Sequence, residues 1–457
     1  MSEVGVATTG GLKRTLGPLM LWGLGVGYVI SGMYFGWNLG LKEGGPYGML
    51  VATGLVTTMY VTFVLGYAEL SCAMPRAGGA FIYAHHGLGG PLGFLAGAAQ
   101  WIEFVFAPPA IAAAIGAYLS IYFPSFTPTT IGLGAYLLFT AINIWGVKQS
   151  AVLELVVTVV AVVELLVFAG VAGSAFSAEA FVSDPLPNGW AGVLGAIPFA
   201  IWFYLAIEGV ANVAEEARSP QRDLPRGFLT AMGTLVALAL LVLVTGVGVA
   251  GWKAAVFPDA SSDTTSDSPL PLVMKHVVGE AHPLYKLLVG VGLSGLVASF
   301  HGIILVAGRA TMELGRVGYA PRVLGRTHPT RLTPAPALIV NMVVGAVALF
   351  SGKTAEIITI SVLGAVTLYV LSMLSLLRLR RTHPDLPRPF RTPGYPLVPA
   401  VALVLASAAL VALVIATPGL SLVYGGLLAV GFAYYFLVIP KAVRESALPP
   451  LSNRSNA

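Results

Sequence analysis

Five glutamates lie inside or at the ends of long apolar runs, where a carboxylate is costly to hold. They are Glu69, Glu103, Glu154, Glu164 and Glu208. A charge at the centre of a bilayer costs at least ~2.5–3.5 kcal/mol on insertion scales, so such residues usually face a cavity or a partner. A carboxylate in that setting can neutralise a positively charged solute or carry a proton.

The depth of each glutamate separates structural from functional candidates. Glu69 and Glu154 lie within a turn or two of the ends of their runs. There they can reach water or neighbouring Lys and Arg, and we expect structural roles for both. The other three, Glu103, Glu164 and Glu208, lie roughly 18–24 Å from an end at 1.5 Å per residue, near the midplane. These three are the candidates for chemistry.

The helix face that carries Glu103 is otherwise composed of alanine. Residues three and four apart share a face of a helix. From Glu103 that spacing gives Ala96, Ala99, Ala107, Ala110, Ala114 and Ala117. Small residues mark a face pressed against another helix. Glu103 is therefore expected to point into a packed seam or small cavity, and the alternative is a protonated glutamate bonded to a neighbouring helix.

The elements that must position these carboxylates are membrane spans. Of 457 residues, 56% are hydrophobic and only 10% charged, against about 25% charged in soluble domains. A spanning helix needs roughly 20 apolar residues. We predict twelve spans, near residues 16–41, 46–73, 90–122, 128–147, 149–175, 191–215, 227–252, 284–312, 335–352, 356–378, 394–417 and 420–440.

The basic residues indicate the orientation of these spans. With a cytoplasmic N-terminus, 20 of the 25 Lys and Arg residues fall inside, as the positive-inside rule requires. The five outside are Lys42, Lys253, Lys275, Lys286 and Lys353. The positive charge is thus explained by topology in an inner or plasma membrane, with both termini cytoplasmic and no nucleic-acid partner.

No enzymatic or metal-binding motif is present in the sequence. Two G-x-G-x-x-G patterns, at 246–251 and 290–295, lie in or beside predicted spans, where close helix packing explains them better than a dinucleotide site. The sequence has neither H-E-x-x-H nor a P-loop nor a nucleophile elbow. We therefore expect no enzyme activity, no cofactor and no metal site.

Two predicted spans carry signs of interruption. The first contains glycines at 23, 25, 27, 32 and 36 with Ser31 among them, which is unfavourable for a continuous helix. The sixth has an irregular centre around residues 206–209. Broken helices in membranes line cavities and bind substrates in transporters. Interruptions five spans apart suggest an inverted repeat of five helices each.

Several segments resemble signature segments of the amino acid–polyamine–organocation transporter superfamily. They are YAELSCAMPRAGGAFIYA at 67–84, IEGVANVAEEARSPQRDLPRG at 207–227 and GRATMELGRVGYAPRVLGR at 308–326. Within the superfamily, SGMYFGWN at 31–38 and IEFVFAPPAIAAAIGAYL at 102–119 resemble the ethanolamine permease group.

This resemblance implies an all-α membrane fold of the leucine-transporter type, with twelve helices, discontinuous helices 1 and 6, and alternating access. The chain would form one transporter domain, residues 1–457. Its parts would be a first repeat at 16–175, a second at 191–378 and a final helix pair at 394–440.

The resemblance also implies the substrate-binding positions. Carried over, they are Ser31, Gly32 and Met33 at the first break and residues 204–208 at the sixth. Two departures stand out. Ala206 occupies the usual glycine position of the sixth-span motif, and Ala161 occupies the position where many relatives have a lysine that replaces sodium.

Protonated ethanolamine fits these departures, because a desolvated cation needs a counter-charge. We expect Glu103, alone or with Glu208, to supply it. Four aromatics would add cation–π contact: Tyr34, Phe104, Phe203 and Tyr204. Coupling to protons or another cation such as sodium would use Glu164 or Glu208, with His301 behind them. The first alternative is an amino acid permease, and a less favoured one is an amine exchanger or uniporter.

Overall fold

The structure is a computed structural model that describes residues 15–76, 78–146, 150–259, 261–446 and 448. Within those residues it is helical, with one isolated parallel bridge between Leu16 and Ala217. The α-helices are α1 (Pro18–Val29), α2 (Ser31–Tyr34), α3 (Trp37–Ala73), α4 (Ala80–Leu88), α5 (Gly90–Ser120), α6 (Pro128–Trp145), α7 (Ser150–Ser174), α8 (Ala178–Phe181), α9 (Gly192–Trp202), α10 (Pro220–Ala250), α11 (Trp252–Val256), α12 (Pro269–Val278), α13 (Pro283–Val317), α14 (Ala335–Phe350), α15 (Thr354–Thr382), α16 (Leu397–Ala416), α17 (Pro418–Leu437) and α18 (Lys441–Ser446).

The long apolar helices make the chain a multi-pass membrane protein. Among the described residues, nine helical segments are long and apolar enough to cross a bilayer. The three remaining predicted spans coincide with the broken segment α1–α2, with α6 and with the shorter α14. The count of twelve spans and the inverted repeat stay predictions. Large apolar side chains on the outside, such as Leu422 at 78% exposed, suit contact with lipid.

The first predicted span is interrupted, as its glycines indicate. Helix α1 ends at Val29, and the short α2 ends at Tyr34. Phe35 is extended, and Gly36 takes a φ of 90° that favours glycine. The chain resumes as a helix at Trp37.

The break in the sixth predicted span begins a few residues earlier than expected and includes the expected residues. Helix α9 ends at Trp202, and residues 203–206 form turns before a 3-10 helix over Ile207–Glu216. The expected irregular centre, residues 206–209, lies within this interruption, which begins three residues earlier. Ala206 has a φ of 78°, so an alanine occupies a left-handed conformation that normally selects glycine.

The two broken segments touch each other closely. A Cβ added at Gly32 would lie 2.5 Å from the Trp202 carbonyl oxygen and 3.0 Å from Phe203 Cα. Only a glycine allows α2 to approach the end of α9 so closely. The interrupted stretches of two distant parts of the chain are thus brought together in the core.

Glu69 has the structural role that its depth predicts. Its carboxylate is buried and lies 2.6 Å from Arg380 Nη2 and 3.3 Å from Arg388 Nε. It also accepts the Thr392 backbone N–H at 2.7 Å. Among the 20 basic residues assigned to the cytoplasm, Lys13, Arg14, Lys148 and Arg454 lie outside the described residues, and the orientation stays a prediction.

Candidate functional site

Glu103 and Glu208 face each other in the core. Glu103 comes from the middle of α5, and Glu208 from the first turn of the 3-10 helix that follows the break in the sixth span. The Glu103 carboxyl faces both the Glu208 carboxyl and the backbone N–H of Ala206. The left-handed turn at Ala206 therefore helps to bring the two carboxyls together.

This carboxyl pair is buried and lacks a basic partner. Both residues are 0% exposed. Among the described residues, no other side chain donates to either oxygen of Glu103 or to Oε1 of Glu208, so the side-chain partner of Glu103 is the Glu208 carboxyl itself. None of the ion pairs formed by described residues involves either glutamate. Two carboxylates so placed cannot both stay ionised without a cation, so the pair must hold a proton or a positively charged group.

Tyrosines enclose the Glu208 side of the pair. Tyr369 of α15 donates a 3.0 Å hydrogen bond to Glu208 Oε2, and its hydroxyl lies 3.0 Å from that of Tyr60 on α3. The Tyr60 ring is 5.2 Å from the ring of Tyr204, whose hydroxyl lies 2.7 Å from Thr57 Oγ1. The carboxyl pair thus has aromatic faces nearby, which suit a small organic cation.

Close contact between α5 and α15 fixes the position of Glu103. Ser361 Oγ donates to the Glu103 carbonyl oxygen at 2.8 Å. A Cβ at Gly364 would lie 2.5 Å from the Ala99 carbonyl oxygen and 2.9 Å from the Glu103 nitrogen. The alanines at 96, 99, 107, 110 and 114 are all buried. The small-residue face of α5 is therefore a packed seam, as predicted.

A second group of buried polar side chains lies one helical turn from the pair. Gln100 precedes Glu103 by three residues, and Asn212 follows Glu208 by four. Asn212 Oδ1 and the Tyr67 hydroxyl lie 2.8 and 3.1 Å from the position of a Cβ on Gly79, and Gln100 Nε2 lies at 3.6 Å. All three side chains carry a buried polar atom without a partner among the described residues. The polar lining thus continues from the pair toward the turn before α4.

The predicted residues of the first break make contacts with α13, with the end of α9 and with the start of α3. Ser31 Oγ lies 2.8 Å from Ser299 Oγ of α13, which donates to the Tyr28 carbonyl oxygen at 2.5 Å. Gly32 supplies the close approach to Trp202 and Phe203. The Met33 carbonyl oxygen accepts the Trp37 indole N–H at 3.1 Å.

The structure separates the predicted aromatics. Phe203, buried in the turn before Ala206, and Tyr204 lie in the break beside the pair. Phe104 lies instead in the seam between α5, α6, α13 and α14, where it lines a small cavity with Pro108 and Tyr136. Tyr34 turns toward α7, where its hydroxyl lies 2.7 Å from Glu164 Oε2 and 3.0 Å from the Ala161 carbonyl oxygen.

The three remaining acidic and histidine candidates lie in other seams. Glu164 lies among Tyr118, Phe168 and the residues of α12, beside Tyr34. His301 Nδ1 lies 3.0 Å from Asn143 Nδ2, in the seam between α6 and α13. The structure therefore does not bring Glu164 or His301 to the Glu103–Glu208 pair.

Glu154 differs from its expected environment. It is only 4% exposed, and its Oε1 has no hydrogen-bond partner among the described residues. A Cβ at Gly27 would lie 2.6 Å from that oxygen, so the side chain packs against α1. The expectation that Glu154 reaches water or a basic neighbour is wrong, because α1 covers it.

Sequence reasoning missed the tyrosines of the site. Tyr60, Phe63 and Tyr67 follow each other at spacings of three and four along α3, and Tyr369 stands alone in α15. Such an aromatic stripe usually indicates packing. One signal could have identified these residues. A buried Glu208 needs a hydrogen-bond donor, and a tyrosine hydroxyl can supply one.

Comparison with known proteins gives a consistent family assignment. A profile of the amino acid permease family matches residues 16–439. An uncharacterized transporter of Rhizobium meliloti is 29% identical, over 87% of this chain and 86% of its own length. The branched-chain amino acid permease BcaP of Bacillus subtilis is 26% identical, over 87% and 88%. The methylthioribose transporter of the same organism is 25% identical, over 85% and 86%.

Proposed function

The chain belongs to the amino acid permease family, and on that basis we propose that it carries a small protonated amine, ethanolamine, across the membrane. The relatives do not decide the cargo, because proteins of similar identity are named for branched-chain amino acids and for methylthioribose. The proposal depends on the chemistry of the site.

One observation carries the proposal: two buried carboxyls, Glu103 and Glu208, face each other without a basic partner among the described residues. An ammonium group placed between them would supply the missing counter-charge and several N–H donors. The rings of Tyr60, Tyr204 and Tyr369 would enclose the methylene groups and add cation–π contact.

The absence of a carboxylate distinguishes ethanolamine from an amino acid. An amino acid would bring a third negative charge near the pair, and that charge would need donors at the first break. There the Met33 and Phe35 N–H groups already donate to the Ile30 and Ser31 carbonyl oxygens. An amino alcohol needs only a hydroxyl contact at this place, which Ser31 can provide. An amino acid permease is the second candidate, because the family profile and BcaP support it.

The same pair supports coupling to protons. When the amine leaves, one carboxyl must take up a proton or another cation, because the two negative charges repel each other. The two broken segments would open the site to alternate sides and so import the amine by alternating access, coupled to a proton or another cation. Glu164 remains a second candidate for coupling, and it would act through Tyr34 rather than through the pair. In the proposed orientation both termini are cytoplasmic.

A competition panel tests the proposal. Uptake of labelled ethanolamine into proteoliposomes is measured with an excess of ethanolamine, glycine, serine or ethylene glycol. Ethanolamine should compete strongly, and neutral ethylene glycol should not compete, because it lacks the ammonium. Glycine and serine should compete at least tenfold more weakly. Equal competition by glycine or serine would favour the amino acid permease, and equal competition by ethylene glycol would reject the counter-ion role.

A further inference from the structure

A basic pocket lies at the edge of the membrane region, away from the carboxyl pair. It has a volume of ≈ 420 Å³ and lies where α5 begins, at Gly90, and where α17 ends, before Lys441. Both helices are long and apolar enough to cross a bilayer. The pocket is therefore at the depth where lipid headgroups meet the protein, and its volume is in the range of about 300–1,000 Å³ typical of ligand sites.

The lining of the pocket favours an anion. Lys441 and Arg444 both line it, and none of the described lining residues is acidic. Arg444 Nε is buried and lacks a hydrogen-bond partner among the described residues. The Arg444 guanidinium lies 5.6 Å from the rings of Tyr435 and Phe436, which hold it beside the pocket. Arginine held in this way is well suited to phosphate oxygens.

The start of α5 adds to the positive potential. Its N-cap residue, Gly89, gives no side-chain hydrogen bond to the first turn. The N-terminus of this 31-residue helix is the partly positive end of its dipole, so it attracts an anion. His85 lies beside them, with Nδ1 3.1 Å from the Tyr319 hydroxyl. Burial lowers the pKa of His85, so at neutral pH the charge comes from Lys441 and Arg444.

The surface next to the pocket is apolar. Phe436, Leu437 and Val438 are 53%, 84% and 61% exposed. They continue the outer face of α17, the least buried of the candidate spans. An occupant that combines a phosphate with long hydrocarbon chains would fill both regions, whereas a free phosphate would leave the apolar strip uncovered.

We propose that this pocket binds the headgroup of an anionic phospholipid, with the phosphate at Lys441, Arg444 and the start of α5, and the acyl chains along α17. The site is independent of the transported substrate. Juxtamembrane basic residues attract anionic lipids in general, and here a preformed cavity with a buried guanidinium gives the attraction a fixed location.

Lipid binding to the purified full-length chain tests this proposal. Native mass spectrometry would measure the affinity for phosphatidylglycerol and for phosphatidylcholine with matched acyl chains. We expect K441Q/R444Q to bind phosphatidylglycerol about thirtyfold more weakly, since each basic residue contributes about fivefold. Its binding of phosphatidylcholine should not change. The matched control R222Q/R226Q removes two exposed charges from the start of α10 and should bind as the unmodified chain does.

Further variants keep the result interpretable. K441Q alone, at an exposed position, should lose about fivefold, and K441R, which keeps the charge, should bind as the unmodified chain does. Soluble glycerol 3-phosphate should not displace the lipid. Any of three results would overturn the lipid site. They are equal affinity of the unmodified chain for the two lipids, equal losses of phosphatidylglycerol affinity in K441Q/R444Q and R222Q/R226Q, and displacement of the lipid by glycerol 3-phosphate.

Discussion

The Tyr369 hydroxyl donates a 3.0 Å hydrogen bond to Glu208 Oε2. The facing Glu103 has no hydroxyl donor of this kind on either oxygen among the described residues. The two carboxyls are therefore unequal. Glu208 has a protein group that stabilises its charge, whereas Glu103 depends on the cation or proton that enters the site.

Tyr369→Phe should weaken ethanolamine binding by roughly tenfold to a hundredfold. The hydrogen bond to a charged group contributes roughly 1.5–3 kcal/mol, and phenylalanine keeps the ring while removing the donor. The measurement is the equilibrium affinity by isothermal titration. Tyr424→Phe is the matched control, because Tyr424 is a buried tyrosine that donates to Thr367 Oγ1 at 2.9 Å. A similar loss in both variants would argue against a specific role for Tyr369.

Substitution of Ala206 tests the left-handed turn that positions Glu208. A non-glycine residue in this conformation costs roughly 1–2 kcal/mol. Glycine avoids that cost. It also raises the conformational entropy of the unfolded chain, which offsets part of the gain in stability. We expect the thermal unfolding midpoint of Ala206→Gly to equal or exceed that of the unmodified chain. The midpoint of Ala206→Val should be clearly the lowest of the three. A stable Ala206→Val protein with full transport would contradict the described turn.

Gly32→Ala should obstruct the contact between the two broken segments. The added Cβ would lie 2.5 Å from the Trp202 carbonyl oxygen, and overpacking of this kind costs about 1–3 kcal/mol. Uptake should fall and the unfolding midpoint should drop. Gly233→Ala in α10 is the control, since a Cβ there has nothing within 4 Å. Unchanged uptake by Gly32→Ala would mean that the segments do not need this approach.

Asp267 makes the docking of the segment between α11 and α12 depend on pH. Thr354 Oγ1 donates to it at 2.9 Å, and the neighbouring Ser266 carbonyl oxygen accepts Asn38 Nδ2 at 2.8 Å. Burial raises the pKa of Asp267 from 3.8 to about 6. The docked segment thus binds the proton more tightly than the undocked one. The resulting stabilisation is complete below about pH 4 and is lost as the pH rises through about 6.

Hydrogen exchange of residues 261–268, corrected for the intrinsic rate, would reveal this effect. Protection should decrease between pH 5 and pH 7 in the unmodified chain. Asp267→Asn, which mimics the protonated form, should stay protected at both values. Asp263→Asn, an exposed position in the same segment, should behave like the unmodified chain. Protection that is equal at both pH values in the unmodified chain would be contrary to the prediction.

The sequence was sufficient to predict the elements that hold the site. The length of the apolar runs located the nine helical segments that can cross a bilayer among the described residues, and the glycines of the first span indicated its interruption. The alanine face correctly oriented Glu103 toward a seam. These features are local, because they depend on residues that are close in sequence and on the cost of placing charge and glycine in a membrane helix.

The partners of the carboxyls could not be predicted, because they come from distant helices. Tyr60 and Tyr369 are separated by 309 positions, yet their hydroxyls lie 3.0 Å apart. Phe104 follows Glu103 directly but points into another seam, since adjacent helix residues diverge by about 100°. Tyr34 was expected near the substrate, whereas its hydroxyl bonds to Glu164.

The most direct test is the equilibrium affinity of the purified chain with Glu103→Gln for ethanolamine. Removing one partner of a buried charge pair costs roughly 2–5 kcal/mol, so we expect the affinity to fall at least thirtyfold. Glu164→Gln, which changes a buried glutamate in another seam, should bind within about twofold of the unmodified chain. Retained affinity in Glu103→Gln, or an equal loss in both variants, would contradict the counter-ion role of Glu103.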